Sequence, residues 1–339
     1  GDHFNTLLYT SNNSTLSVTG AGFQPDFIWF KNRTNTNRHA LFDSVRGATK
    51  RIASDRTEAE AADPDTLISF DSDGWSIGAD TGQYGVNYTA GSSFVSWNWK
   101  AGGTASSNGD GSITSSVSAN TTAGFSIATY TGNNTAEATI GHGLSQRPDW
   151  VIIKDRENGS TQWVHNPIGA FGSNYYGYFT NNAFTADSSN VFWYTPTSSV
   201  VKVSAHAEVN ASSTDYVMYC FHDVEGFSKS GQYTGNNNAD GPFIYTGFRP
   251  AWVMVKSILG DVHTDWPIYD TARSTYNAVG HVLEANQSQA EITGTGRGLP
   301  IDILSNGFKH RSSYGENNST GTYIYLAFAE SPFKTSNAR

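Results

Sequence analysis

The chain has 339 residues, enough for two or three domains of ordinary size. Its formal net charge is −9 and its basic residues are scattered, so the counterion release that drives nucleic-acid binding has no footprint. Charged residues make up 15% and aromatic residues 13%, with Asn, Ser, Thr and Gly abundant, a balance that argues against a helical fold and for strands joined by polar turns.

Gly1 opens the chain in place of Met, which reads as a processed or partial product, and no basic-then-apolar order of a signal peptide follows it. No apolar run reaches the roughly 18 residues of a membrane helix, so membrane insertion is not expected. In chain order come Tyr9-Thr-Ser-Asn-Asn13, the strand Phe23-Gln-Pro-Asp-Phe-Ile-Trp-Phe-Lys31, and Asp43-Ser-Val-Arg46, whose spacing suits a local ion pair. Ser54–Ala62 is predicted as a short helical turn capped by Ser54. Asp71-Ser-Asp-Gly74 resembles a calcium-loop fragment, but the remaining ligands are missing, so an Asx-type turn is expected. Phe94-Val-Ser-Trp-Asn-Trp99 is a further strand, and the Gly/Ser/Asn-rich stretch from Ala101 to Gly111 reads as a flexible link.

The same signatures then return. Gln146-Arg-Pro-Asp-Trp-Val-Ile-Ile-Lys154 and Phe248-Arg-Pro-Ala-Trp-Val-Met-Val-Lys256 match the first strand, and Pro25, Pro148 and Pro250 stand 123 and 102 residues apart. Tyr130-Thr-Gly-Asn-Asn134 and Tyr233-Thr-Gly-Asn-Asn237 match the opening motif; Tyr216–Phe221 and Tyr323–Phe328 match the closing strand. Three signatures in one order, three times over, mark an internal repeat. The expected architecture is all-β: three tandem, divergent β-sandwich or jelly-roll-like units with long polar loops. Their boundaries are set at 1–104, 121–226 and 227–339, with a Gly/Ser/Asn-rich linker at 105–120. Each Pro should mark the start of its strand, since it lacks a backbone donor. The nearly continuous apolar runs at Trp252–Val255 and Tyr323–Phe328 should be covered on both faces. A second short helical piece is predicted near Leu283–Glu291.

Few residues invite chemistry. Lys31, Lys154 and Lys256 share a strand-end position and read as solvated charges that blunt a sheet edge. Asp270-Thr-Ala-Arg273 repeats Asp43-Ser-Val-Arg46, while His165 stands at roughly that place in the middle copy. A catalytic group would not change type between copies, and neither a nucleophile nor a paired carboxylate accompanies it, so the position reads as structural. Cys220 lies in an apolar run and reads as a buried hydrophobe. The nine histidines show no metal-ligand spacing, and Thr293-Gly-Thr-Gly-Arg-Gly298 reads as a flexible turn without the strand-to-helix context of a phosphate loop. Catalytic, metal and cofactor sites are therefore not expected. Trp163, Tyr175, Tyr176, Trp193 and Tyr194 lie in polar, turn-rich segments and are the candidate glycan contacts, through rings stacked on sugars.

Phe23–Arg33, Leu41–Lys50, Ser69–Gly74 and the closing Ala327-Phe-Ala-Glu-Ser-Pro-Phe-Lys334 together resemble an uncharacterised repeat domain of tail-fibre-like and other structural proteins of marine and freshwater phages, cyanophages among them. The resemblance spans nearly the whole chain. It implies a non-enzymatic bacteriophage virion structural protein on the particle surface, hence extracellular, most naturally a tail fibre or other appendage that aids receptor binding. Its partners would be other virion proteins, a host cell-surface glycan, and further copies of itself in a homo-oligomer, with a trimer as the form cyclic symmetry suggests. A capsid decoration protein and a glycan-binding module of a secreted bacterial surface protein are the alternatives; a polysaccharide depolymerase ranks last.

Overall fold

The computed structural model describes residues 2–80, 82, 84–172, 174–180, 182–187, 190, 192–258, 265–293 and 299–331. The fold is all-β, built from antiparallel sheets that pack face to face as sandwiches. In the first third of the chain, Phe4–Thr10, Ser93–Trp99, Phe27–Asn32 and Ala40–Asp43 lie side by side in that order. The last third repeats the order with Ser228–Thr234, Thr322–Ala329, Pro250–Ser257 and Pro267–Asp270, then adds Leu283–Glu284. In the middle third Phe125–Thr131, Asp215–Phe221, Trp150–Asp155 and Trp163–Asn166 do the same, inside a sheet extended at both edges.

Each main sheet carries a three-stranded sheet on one face. These are Leu16–Thr19, Gly74–Ile77 and Leu67–Asp71; Ala138–Gly141, Val200–Val203 and Trp193–Tyr194; and Phe243–Tyr245, Gly307–His310 and Ile301–Leu304. The opposite face of each main sheet enters one core common to the whole chain. Phe27, Trp29, Trp97 and Trp99 meet Phe125, Trp150, Tyr219 and Phe221 there, together with Trp252, Met254, Leu326 and Phe328. Alternate residues of the same strands, such as Ile28 and Phe30, or Val151 and Ile153, turn the other way into a local core. A strand with period two and two apolar neighbours reads as a continuous apolar run, which accounts for Trp252–Val255 and Tyr323–Phe328 being buried on both sides.

The prolines sit where a missing donor costs least. Pro25 and Pro148 precede Phe27–Asn32 and Trp150–Asp155, and Pro250 is the first residue of its strand. Two expectations need correction. The stretch 105–120 is not a free link: Ser106–Asn108 pairs with Ser115–Asn120, which pairs in turn with Phe125–Thr131. Glycine serves close approach there, since a Cβ at Gly111 would fall 2.3 Å from the Thr139 carbonyl oxygen. The helical turns expected at Ser54–Ala62 and Leu283–Glu291 do not form; Ala61–Ala62 and Leu283–Glu284 are short strands instead. Among the described residues helix is confined to Ile168–Phe171, Ala207–Asn210 and Gly315–Asn318, and no helix is long and apolar enough to cross a membrane.

Candidate functional site

The three strand-end lysines are buried, with Lys31 1% exposed and Lys154 and Lys256 0%, so the solvated-edge expectation is corrected. Each ammonium donates to a backbone carbonyl of a neighbouring third. Lys31 Nζ donates to Ser288 O (3.2 Å), Lys154 Nζ to Thr57 O (3.0 Å) and Lys256 Nζ to Thr180 O (3.2 Å). Burial lowers their pKa values, to about 7 for Lys31 and Lys256 and about 8 for Lys154. The contacts run in one rotational sense: first to last, middle to first, last to middle.

Ring nitrogens follow the same circuit, from Trp163, the strand partner of Lys154, and from His39 and Trp266, each of which just precedes the strand paired with that of its lysine. His39 Nε2 lies 2.9 Å from Glu284 O, Trp163 Nε1 donates to Ala53 O (2.8 Å), and Trp266 Nε1 donates to Tyr178 O (3.1 Å). Trp163 is therefore a peg between thirds, 2% exposed, and cannot stack on a sugar.

Among the described residues, two of the three junctions carry the same ionic node. Asp43 accepts from Arg46 Nε (2.5 Å) and from Tyr219 Oη (2.7 Å); Arg46 also donates to Glu60 (3.1 Å), which takes both Arg156 Nε (2.9 Å) and Nη2 (3.0 Å). Asp270 likewise accepts from Arg273 Nε (2.5 Å) and Trp97 Nε1 (2.9 Å); Arg273 donates to Glu291 (3.0 Å), which is gripped by Arg33 through Nε (2.9 Å) and Nη2 (2.8 Å). Against burial, the guanidinium groups of Arg33 and Arg273 hold the Glu291 carboxyl down at about 2. At the junction of last and middle thirds the strand register puts Pro167, not His165, opposite Trp150, where Asp43 and Asp270 face Phe27 and Trp252. There Trp266 packs on His165 (4.9 Å), Phe179 (5.1 Å) and Phe184 (5.9 Å). These nodes bind one part of the chain to another; fully bonded and enclosed, they present no reactive atom to a substrate.

The remaining glycan candidates do not converge. Trp193 is 1% exposed in the middle third's local core. Tyr175 and Tyr176 are half-buried neighbours on one strand and point to opposite faces, against Phe171 (4.1 Å) and Phe192 (4.5 Å). Tyr194 alone lies on an outward sheet face, under Lys202 Nζ at 5.0 Å, and Lys202 also pairs with Glu137.

An outward aromatic face instead occurs on the small sheet of the last third. Phe243 and Tyr245 flank the buried Ile244 and are 44% and 66% exposed. In register, Phe243 lies beside Lys309, with Asp302 one strand beyond, and Tyr245 lies beside Gly307, with Leu304 one strand beyond. Gly307 leaves room for the neighbouring strand and for the Phe243 ring, because a Cβ there would fall 2.0 Å from Ile244 O and 2.9 Å from Phe243 Cε2. Lys309 bridges to Asp240 (3.0 Å) and Arg311 to Asp302 (2.5 Å), and the Lys309 ammonium holds the Asp240 carboxyl below its usual range. The signal was present in the sequence as Phe243-Ile-Tyr245, aromatic on both outward positions of an alternating strand, where the first third has Ser17 and Thr19.

The carboxylates of Asp265, Glu284 and Glu316 come within 4.8 Å of one another, a spacing suited to a hard cation, but both Asp265 and Glu316 also act on the Lys256 ammonium. The thiol of Cys220 is buried and pushed well up by burial, so it is not a nucleophile. Most of Thr293–Gly298, and the end of the Ala327–Lys334 motif, lie outside the described residues.

Residues 1–332 match the family described as Domain of unknown function (DUF7483). The chain belongs to that family. No curated protein and no solved structure matches it. Within the DUF7483 match fall both ionic nodes, the three lysines and the Phe243–Tyr245 face.

Proposed function

We propose that the chain is a structural protein of a bacteriophage virion, displayed on the particle surface as a tail fibre or similar appendage and contributing to adhesion to the host. One observation carries this reading. The polar groups that recur along the chain, namely the lysines, the Asp–Arg pairs and the ring nitrogens, are consumed in tying the thirds together, while the outward faces differ from third to third. Such a division suits a rigid frame that presents variable surfaces, and the resemblance of Phe23–Arg33 and Leu41–Lys50 to virion repeat domains supplies the setting. In this reading the protein is not an enzyme, and its partners are other virion proteins, further copies of itself and a host glycan.

Antibody raised against the chain, applied to intact phage particles and viewed by electron microscopy, should label one defined position on the virion. Particles without label overturn the proposal. Release of reducing ends from host polysaccharide by the purified chain would replace adhesion with depolymerisation.

A further inference from the structure

The geometry points to a saccharide-binding platform on the outward face of the small sheet of the last third, with Phe243 and Tyr245 as its stacking surface and a neutral oligosaccharide as its ligand. The inference deepens the adhesion reading and rests on it for its biological setting.

Large apolar side chains are exposed at few places among the described residues, and three of the six lie on or beside this one sheet: Phe243 and Tyr245 on one edge strand, and Tyr276 (85% exposed) next to the other. Tyr276 is placed there because its neighbour Asn277 brackets Ile303, donating to its carbonyl (2.9 Å) and accepting from its amide (2.9 Å). Two strand spacings of about 4.8 Å each separate the two edge strands. The platform is thus wide enough for an oligosaccharide and too wide for one sugar.

Ring faces carry negative potential, and the axial C–H bonds of a pyranose carry the opposite, so a sugar lies flat on an aromatic ring. Its equatorial hydroxyls then need both donors and acceptors at the ring's margin. Lys309 stands beside Phe243 in register, with Asp302 one strand further on, and the two supply one of each. Arg311 and Asp240 extend the pairing, so two cations face two carboxylates and the rim is neutral in sum. A polyanionic chain would find no excess of positive charge to draw it. A ligand with one apolar face and a margin of hydroxyls matches both halves of the surface.

On the first third the same outward positions hold Ser17, Thr19, Ser76 and Ser69, which offer no ring. On the middle third they hold Thr139, Lys202 and Tyr194, with the ring already covered by Lys202. Among the described residues, only the last third presents two uncovered rings on one strand of its small sheet.

The test is binding of the whole chain to a printed array of neutral oligosaccharides and oligogalacturonates, followed by saturation-transfer NMR on the best neutral binder. The chain should retain at least one neutral oligosaccharide, and the double variant Phe243→Ser with Tyr245→Thr, which installs the residues of the first third, should weaken that binding at least tenfold with an unchanged melting temperature. Tyr194→Ser should leave it unaltered. Failure to bind any neutral oligosaccharide, preference for the galacturonates, or undiminished binding by the double variant overturns the proposal. Concentration-dependent self-association abolished by the double variant would also overturn it, by showing that a second copy covers the face. None of these results depends on where the chain sits on a virion, so this proposal and the adhesion reading can fail separately.

Discussion

The junction between the middle and first thirds and the junction between the last and middle thirds solve the same packing problem with different chemistry. The first uses Asp43, Arg46, Glu60 and Arg156, with the Tyr219 hydroxyl closing the node. At the second, Phe184 holds the backbone position that Glu60 holds, its amide donating to Ile258 O (3.3 Å) as Glu60's donates to Arg156 O (2.7 Å), and Trp266, Phe179 and His165 fill the space. The lysine and ring-nitrogen ties persist at both. What the fold requires at a junction is therefore the backbone docking and the buried donors. The ionic node is one way to fill the remaining volume, and rings are another.

The largest expected effect comes from breaking a node on one side only. Arg46→Ala or Arg273→Ala strands two buried carboxylates and should cost about 3–5 kcal/mol, read from denaturant midpoints. A loss under about 1 kcal/mol in both would show that the nodes do not hold the thirds together.

Acid should separate the junctions next. His165 is buried and neutral, with burial first and the Lys256 charge second holding its pKa near 3 against an ordinary 6.5. Below pH 6.5 the unfolded chain takes up a proton that the folded chain refuses, so stability falls as the pH drops from 6.5 towards 3, by up to about 1.4 kcal/mol per pH unit. Glu291 has its folded pKa depressed to about 2, so its contribution is complete above the ordinary 4.5 and is lost only as the pH falls from there to about 2. His165→Leu, which installs the residue type of Leu41 at the same register, should flatten the upper window, and Glu291→Gln the lower one. Unfolding followed at pH 7, 5 and 3 distinguishes them; identical acid profiles for both variants would break the comparison. His39, between the first and last thirds, is also held down by burial, so the middle–first junction should be the last to yield.

A milder loss is expected for Trp266→Phe, which keeps the ring but removes the donor to Tyr178 O and Thr180 O, at about 1–3 kcal/mol. Tyr194→Ser, on an exposed face, should stay within about 0.5 kcal/mol in the same measurement.

Much of the frame was legible in the sequence because it depends on local rules. Pro25, Pro148 and Pro250 announced strand starts, and the double-sided apolar runs announced strands covered on both faces. The Asp–Arg spacing of three announced a local ion pair. Lys154 could not be read, since its burial depends on the Thr57 carbonyl, 97 residues away. Trp163 was misjudged for the same reason: its polar flanks suggested exposure, while its partner, Ala53 O, is 110 residues distant. Phe243 and Tyr245 were missed because aromatic alternation in a strand ordinarily signals a core, and only the register with Gly307 and Lys309 reveals that they face outward.

The closure of the circuit between the first and last thirds also constrains the order of events during synthesis. Arg33 finds Glu291 only after 258 further residues have been translated, and Phe4 stacks on Phe328 at the far end of the chain. Until then Trp97 and Trp99 lack the aromatic partners that Trp252 and Phe328 bring. A nascent chain leaving the ribosome thus carries an open, tryptophan-rich face for most of its elongation, and its folding is governed by how well that face is shielded from other nascent chains.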